Sequence, residues 1–266
     1  MRVFACALAA SFTLACAGAA AAPAQPRRVA SLNLCTDELL LMLAHPGQIV
    51  SVTHLSQQAA ETPLWREAGR YRRNDGSLMS VTPLRPDLVL TMGGGGRDRM
   101  RIAARLDIRT LDIPFASSLA DVEANIRSVG QALGRGEAAH AAIARIRQLR
   151  RSAPAQARDT IWLGGGGRTV SAGGLEAQWM RLAGLQQRSM QGDRVSLEQI
   201  VARPPAILLR SDYRQGQYSN AQRWLDHPLA RGMRRSRSLR TDGRRWTCMG
   251  PLMVAEIHRL RRELAR

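Results

Sequence analysis

The sequence predicts an α/β fold of two Rossmann-like lobes with mainly parallel sheets, joined by a single long helix. A long helical run occupies the middle of the 266-residue chain, at residues 118–151. The segments on either side of it share a signature: residues 81–90 (VTPLRPDLVL) and 200–209 (IVARPPAILL) each give an amphipathic turn, an Arg-Pro and an apolar β-type run. A strand entered through a rigid proline, repeated once on each side of a helix, implies two similar lobes. Strand-like runs also alternate with helical ones, the pattern of parallel sheets. Any functional site is then expected between the lobes.

The first residues stand outside that architecture. Met1 and Arg2 supply a positive end, residues 3–17 an apolar stretch and residues 19–24 a run of small residues. This is the layout of a cleavable secretory signal over residues 1–24, too short to span a membrane. Thr13-Leu14-Ala15 before Cys16 departs from the leucine-small-small pattern of a lipid anchor, so plain cleavage is the expectation. The mature chain is expected to be soluble and outside the cytoplasm.

The N-terminal lobe is assigned to residues 25–117. Residues 28–34 (RVASLNL) read as a strand, and Thr36 or Asp37 caps the helix that follows, leaving Cys35 in the turn at the strand's carboxyl end. His45-Pro46-Gly47 ends that helix, and residues 48–53 (QIVSVT) form a second strand leading to His54. Residues 59–73 are polar and irregular, fitting a loop or short helix. Asn74-Asp75-Gly76 is a turn, residues 77–84 a short helix and residues 86–91 (PDLVLT) a strand. Met92 and four glycines, 93–96, then precede a helix from Arg97 to Leu106. A glycine run there could cradle a phosphate, but this one lacks the Lys-Ser/Thr of a P-loop and reads as a permissive turn. Residues 108–113 (IRTLDI) are the next strand.

The helical span is assigned to residues 118–153. Leu119, Val122, Ile126, Val129 and Leu133 make one apolar stripe; Gly134-Arg135-Gly136 breaks it, and Ala139, Ala142, Ile143, Ile146 and Leu149 resume it. His140 reads as a surface residue.

The C-terminal lobe is assigned to residues 154–266. Residues 159–163 (DTIWL) restart the alternation and are again followed by four glycines, 164–167. A helix over 175–183 carries Trp179 as a core residue. Residues 195–200 open the second copy of the turn-strand signature, with its strand at 206–209. A polar loop at 211–219 carries Tyr213 and Tyr218, either of which could reach a cleft rim. A short helix at 220–225, a short strand at 238–240, a loop at 246–251 and a last helix at 252–265 complete the chain.

Ligands of parallel sheets bind at the carboxyl ends of strands. The loops there carry Cys35, Thr36, His54, Met92, Gly93, Gly165, Trp246 and Cys248, with Arg73, Arg97 and Arg168 beside them. Cys35 and Cys248 are the cysteines left after signal removal, and three states stay open for them. They form a disulfide if their Cα atoms approach within about 7 Å. As free thiols with His54 and Met92 they make a soft site for a transition metal or haem iron. Otherwise they are inert.

All 39 basic residues are arginines, against 21 acidic ones, for a net charge of +18. An exported chain with scattered arginines and no aromatic interleaving is not expected to bind nucleic acid. A hydrolase would need a nucleophile, yet neither Ser171 nor Ser196 sits in a GxSxG elbow. No enzymatic activity and no resident cofactor are expected.

RVASLNLCTDELLLMLA, DGSLMSVTPLRPDLVL, LDIRTLDIPFASSLADVEANIRSVGQALGR, VSLEQIVARPPAILL and the closing WTCMGP follow one another in order across almost all of the mature chain. In this the chain resembles the class III periplasmic binding proteins of ABC importers for cobalamin and ferric siderophores. The resemblance implies a monomeric periplasmic receptor that holds a metal chelate between its lobes and docks on an inner-membrane permease. Such receptors present a glutamate on each lobe to the permease; Glu198 matches one, whereas Met79 stands at the other, where Asp75 is the nearest acidic substitute. Cobalamin-binding members line the cleft with tryptophan, and the corresponding loops here offer Arg73, Met92 and Gly192. Arginine forks suit carboxylate, catecholate or phosphate oxygens of an anionic chelate. Haem or a bare transition metal held by Cys35 and Cys248 is the alternative.

Overall fold

The computed structural model describes residues 25–94, 97–212, 227–228 and 236–266. The signal segment with Cys16, the loop tyrosines Tyr213 and Tyr218, and the helix expected at 220–225 lie outside these residues.

Two parallel sheets organise the chain. β1 (Val29–Ser31), β2 (Ile49–Thr53), β3 (Arg72–Asn74), β4 (Leu88–Met92) and β5 (Arg109–Ile113) form the first, in the order β3-β2-β1-β4-β5. β6 (Arg158–Leu163), β7 (Leu185–Gln187), β8 (Ile207–Asp212) and β9 (Arg237–Asp242) form the second, in the order β7-β6-β8-β9. In each sheet the chain runs outward on one side, then returns to the centre and runs outward on the other. The reversal falls between β1 and β4 in the first sheet and between β6 and β8 in the second. A crevice opens at the carboxyl ends of strands at such a reversal.

The connecting helices follow from local sequence. α1 (Leu34–Leu43) is capped by Asn33, whose side chain accepts from the Cys35 N–H at 2.8 Å. This corrects the expected cap at Thr36 or Asp37 and places Cys35 inside the first turn. Asp37 instead turns inward and accepts from the Thr53 backbone at 3.1 Å, tying α1 to β2. Short helices α2 (Trp65–Ala68) and α3 (Leu78–Val81) and the longer α4 (Arg97–Arg105) complete the first lobe. The second lobe carries α7 (Leu175–Leu182), α8 (Leu197–Ala202), α9 (Gly243–Cys248) and α10 (Met253–Leu264). β3, β7 and α9 escaped the sequence reading. The two strands have three residues each, too few for a visible alternation, and α9 (GRRWTC) runs into residues 246–251, which read as loop.

α5 (Leu119–Ala132) and α6 (Gly136–Arg151) meet at the glycine break, where Gly134 adopts φ +68°. Gly130 lets them pack closely, for a Cβ there would fall 2.3 Å from that of Ala139. α6 makes the crossing between lobes. Arg135, its N-cap, donates to the Leu43 carbonyl of the first lobe at 3.3 Å, and Leu149 near its other end accepts from Arg261 of α10 at 2.8 Å. One hydrophobic cluster runs from Val29 and Leu40 through Ile126 and Ile146 to Trp179, Leu209 and Ile257, so the lobes share a continuous core.

Candidate functional site: the interlobe cleft

Both strand-order reversals face the same seam. Cys35, one turn beyond β1, and Cys248, at the end of α9 beyond β9, are joined by a disulfide with Cα atoms 5.1 Å apart. The bond overturns the reading of two free thiols ready for a metal, since both sulfurs are spent on each other. Among the described residues no group of three or more His, Cys, Asp or Glu could hold a metal ion.

A small cavity of about 110 Å³ lies beside the bridge, lined by Cys35, Glu38, Met92 and Phe115 of the first lobe and by Cys248 and Gly250 of the second. Glu38 is buried, and among the described residues its carboxylate accepts only a long 3.4 Å bond from the Leu252 N–H. Burial pushes its pKa up to about 7, against the pull of that N–H and of the Arg245 charge. A wider pocket of about 420 Å³ opens on the second lobe, lined by Trp162, Gly165, Arg168, Glu176, Trp246 and Thr247 among others. Thr247 borders both spaces.

The wider pocket has a fixed aromatic wall. Trp246 donates from Nε1 to Thr241 Oγ1 at 2.7 Å, and Thr241 in turn donates to Glu256, which Arg259 holds at 2.6 Å. Trp162 meets Trp246 edge-on, with centroids 6.4 Å apart and planes at 62°. Its Nε1–H is buried without a partner among the described residues. Gly164 makes room for the Trp162 ring, since a Cβ there would approach it to 2.9 Å. Arg168 is exposed at the rim, with a long 3.4 Å pair to Asp193, and so retains most of its donors for a ligand.

Of the residues the sequence singled out, Cys35, Met92, Gly165, Arg168, Trp246 and Cys248 come together here. Thr36 does not: it is fully buried, bonded to Ser31 Oγ at 2.8 Å and to the Asn33 carbonyl. His54 is exposed, with Nδ1 3.3 Å from the Asn74 carbonyl, and Arg73 is exposed on the edge strand β3; neither lines the cavities. Gly93 adopts φ +79° and leaves space for the Phe115 ring, and the next N–H, of Gly94, is taken by Asp112 at 2.8 Å. That carboxylate stands where an anion would bind, so Gly94 has no N–H to offer a phosphate. The Arg97 side chain lies outside the described residues. Sequence reading missed Trp162, hidden in a run read as plain strand, and Glu38, hidden among the helix-start acids. Phe115 was read only as a lead into α5.

Two parallel-sheet lobes with a shared cleft at their strand ends define a two-lobed solute-binding protein. The profile of the periplasmic binding protein family matches residues 29–235, and the chain belongs to that family. A periplasmic heme binding protein from Pseudomonas aeruginosa is 21% identical, with a TM-score of 0.63 over 90% of this chain and 92% of its own. The periplasmic vitamin B12 binding protein BtuF of Vibrio cholerae is 17% identical, with a TM-score of 0.62 over 90% of this chain and 97% of its own. An ABC transporter substrate-binding protein from Listeria monocytogenes EGD-e is 16% identical, with a TM-score of 0.59 over 89% and 98%. These likenesses are of fold. No curated protein sequence matches the chain. Among the described residues no helix is long and apolar enough to cross a membrane.

Proposed function

We propose that the chain is the substrate-binding component of an ABC importer, which captures a metal chelate between its lobes and delivers it to an inner-membrane permease. The observation that carries this reading is the pair of spaces at the two strand-order reversals, one walled by Trp162 and Trp246 and rimmed by Arg168. Indole faces suit the flat or apolar part of a chelate, and a guanidinium suits its anionic oxygens. Ferric siderophores, corrinoids and haem all present that combination. The protein acts as a monomer and performs no chemistry on its cargo. It reaches the periplasm by its cleaved leader, residues 1–24.

The reading is tested by thermal shift of the mature protein against ferric siderophores, cobalamin, haem and bare transition metals. A ligand that binds the native state alone must raise the melting temperature. A saturable shift with one chelate, without turnover of it, is expected; no shift with any, or a shift with bare metal alone, defeats the reading.

A further inference from the structure

We propose that the Cys35–Cys248 disulfide is a redox-operated latch across the cleft, closed in the oxidised protein and released by a dithiol. The bond joins the first helix of one lobe to the last turn before α10 of the other, 213 positions apart, and so crosses the lobe boundary. It also stands between the two spaces: both cysteines line the small cavity, and Thr247, next to Cys248, borders the wider pocket as well. The intact bridge holds α1 and α9 together at the edge of the small cavity, beside the tryptophan-walled pocket. With the bridge cut, the seam between α1 and α9 parts and the two spaces join.

The groups around the bridge favour parting. Glu38 lies against Gly250, where an added Cβ would fall 2.7 Å from its Oε1, and among the described residues its one hydrogen bond is the long one from Leu252, with the Arg245 charge nearby. A buried carboxyl so poorly partnered gains water when the seam opens. Other polar contacts between the lobes are an exposed one, Arg244 Nη1 to the Ala59 carbonyl at 2.7 Å, and those of Gln178 on α7, which accepts from the Leu119 N–H at 3.1 Å and donates to the Ser117 carbonyl at 3.3 Å. Behind the seam the core shared through α5 and α6 holds the lobes together, so release is local. Both cysteines are part-exposed, within reach of a reductant. The exchange is balanced. A thiolate of the dithiol attacks one sulfur to give a mixed disulfide, its second thiol displaces the cysteine, and two electrons leave two cysteine thiols and one oxidised dithiol.

The functional meaning of the latch rests on the ligand site proposed above; its existence does not. Hydrogen exchange is measured on the oxidised protein, on the same protein reduced with dithiothreitol, and on Cys35→Ser/Cys248→Ser. Amides of α1 and of residues 245–252 are expected to exchange at least ~10-fold faster without the bridge, beyond any change in β1, β4, β6 and β8. An equal rise everywhere, as for a bridge that acts through global stability alone, overturns the proposal. So does an unchanged seam, or a bridge that excess dithiothreitol leaves intact in the folded protein. Should the double variant not fold, the reduced wild type carries the same comparison. Hemin and cyanocobalamin then serve as probes of release. A bound probe should leave the reduced form faster, and an unchanged off-rate with a mobile seam severs the latch from the cleft. If neither probe binds, these two cargos are lost, and the exchange data still decide the latch.

Discussion

Met79 and Glu198 hold the same place on the two lobes. Each is the second residue of a short helix that begins Ser-Leu, and in each the N-cap serine, Ser77 or Ser196, accepts from the N–H three residues on at 3.2 Å. Both side chains are exposed, Met79 by 69%. Hydrogen bonding from Ser196 holds the Glu198 carboxyl below its usual range, so one lobe presents a fixed negative charge and the other an apolar tip. Asp75 lies four residues before Met79 and is held at about 2 by Ser77, so it stays ionised nearby. In reconstituted transport, Glu198→Arg is expected to weaken permease docking ~10-fold or more, as reversal of an interfacial charge does. Asp75→Asn should cost less than Glu198→Arg but more than nothing, and Met79→Glu should strengthen docking. Equal transport by all variants would remove these helix tips from the docking surface.

The buried acids of α1 make stability fall as the solution becomes more alkaline. Glu38 titrates near 7 in the folded protein against 4.5 when unfolded, and Asp37 near 6 against 3.8, both through burial. A raised carboxyl pKa means the folded state binds more protons, so its contribution is complete below the unfolded value and is lost as pH rises through the folded one. For Glu38 the loss by pH 8 is about 3 kcal/mol. Urea unfolding at pH 5 and pH 8 should show this drop in the wild type and a drop smaller by roughly that amount in Glu38→Gln. The acids with lowered pKa values, such as Asp75 and Asp121, titrate below this window and do not oppose it. An undiminished drop in the variant would assign the effect to other groups.

The tryptophan wall predicts distinct effects of neighbouring substitutions on chelate affinity. Trp246→Phe removes the donor to Thr241, leaving a buried hydroxyl short of a partner, and should cost about 1–3 kcal/mol of stability. Trp162→Leu removes an indole that makes no hydrogen bond among the described residues, so it should weaken ligand binding more than it weakens the fold. Arg168→Gln, at the rim, should leave stability unchanged and reduce affinity for anionic chelates by about 10-fold, with little effect on neutral ones. Calorimetric titration alongside unfolding separates these outcomes. A loss of affinity that only tracks stability would remove the wall from the site.

How far the sequence foretold this site depends on the scale of the signal. Strands such as Ile49–Thr53 and Leu88–Met92 are apolar runs bounded by turns, and the stripe through Leu119 and Ile126 repeats over many turns, so both were legible. The repeated Arg-Pro signature located β4 and β8, interior strands of the two sheets that flank the reversals where the crevices open. What stayed hidden is set by tertiary packing. The approach of Cys35 to Cys248 depends on how two lobes meet, and sequence alone left three states open for them. Trp162 sits in a run whose composition says strand but not which face meets the pocket. Thr36 illustrates the reverse: it adjoins a site residue in sequence, but α1 turns it inward to Ser31.

The hairpin of α5 and α6 supplies the sharpest test of the interlobe frame. A Cβ built on Gly130 meets the Cβ of Ala139 at 2.3 Å and the Arg135 carbonyl at 3.3 Å, so Gly130→Ala cannot be absorbed by a side-chain rotation. The helices must separate, which by the usual cost of overpacking destabilises the fold by about 1–3 kcal/mol, despite alanine's better helix propensity. Because the clash is with one methyl group, Ala139→Gly in the same chain should return much of the loss. Ala139→Gly alone should cost about 1 kcal/mol by propensity, plus a little for the buried methyl. The double-mutant cycle would then show a favourable coupling between the two sites. Additive losses would mean that the Arg135 carbonyl, rather than the Ala139 methyl, sets the spacing. Since α6 carries the crossing from Leu43 to Arg261, a wider hairpin should also alter the seam between the lobes, and chelate affinity should fall in Gly130→Ala and recover in the pair.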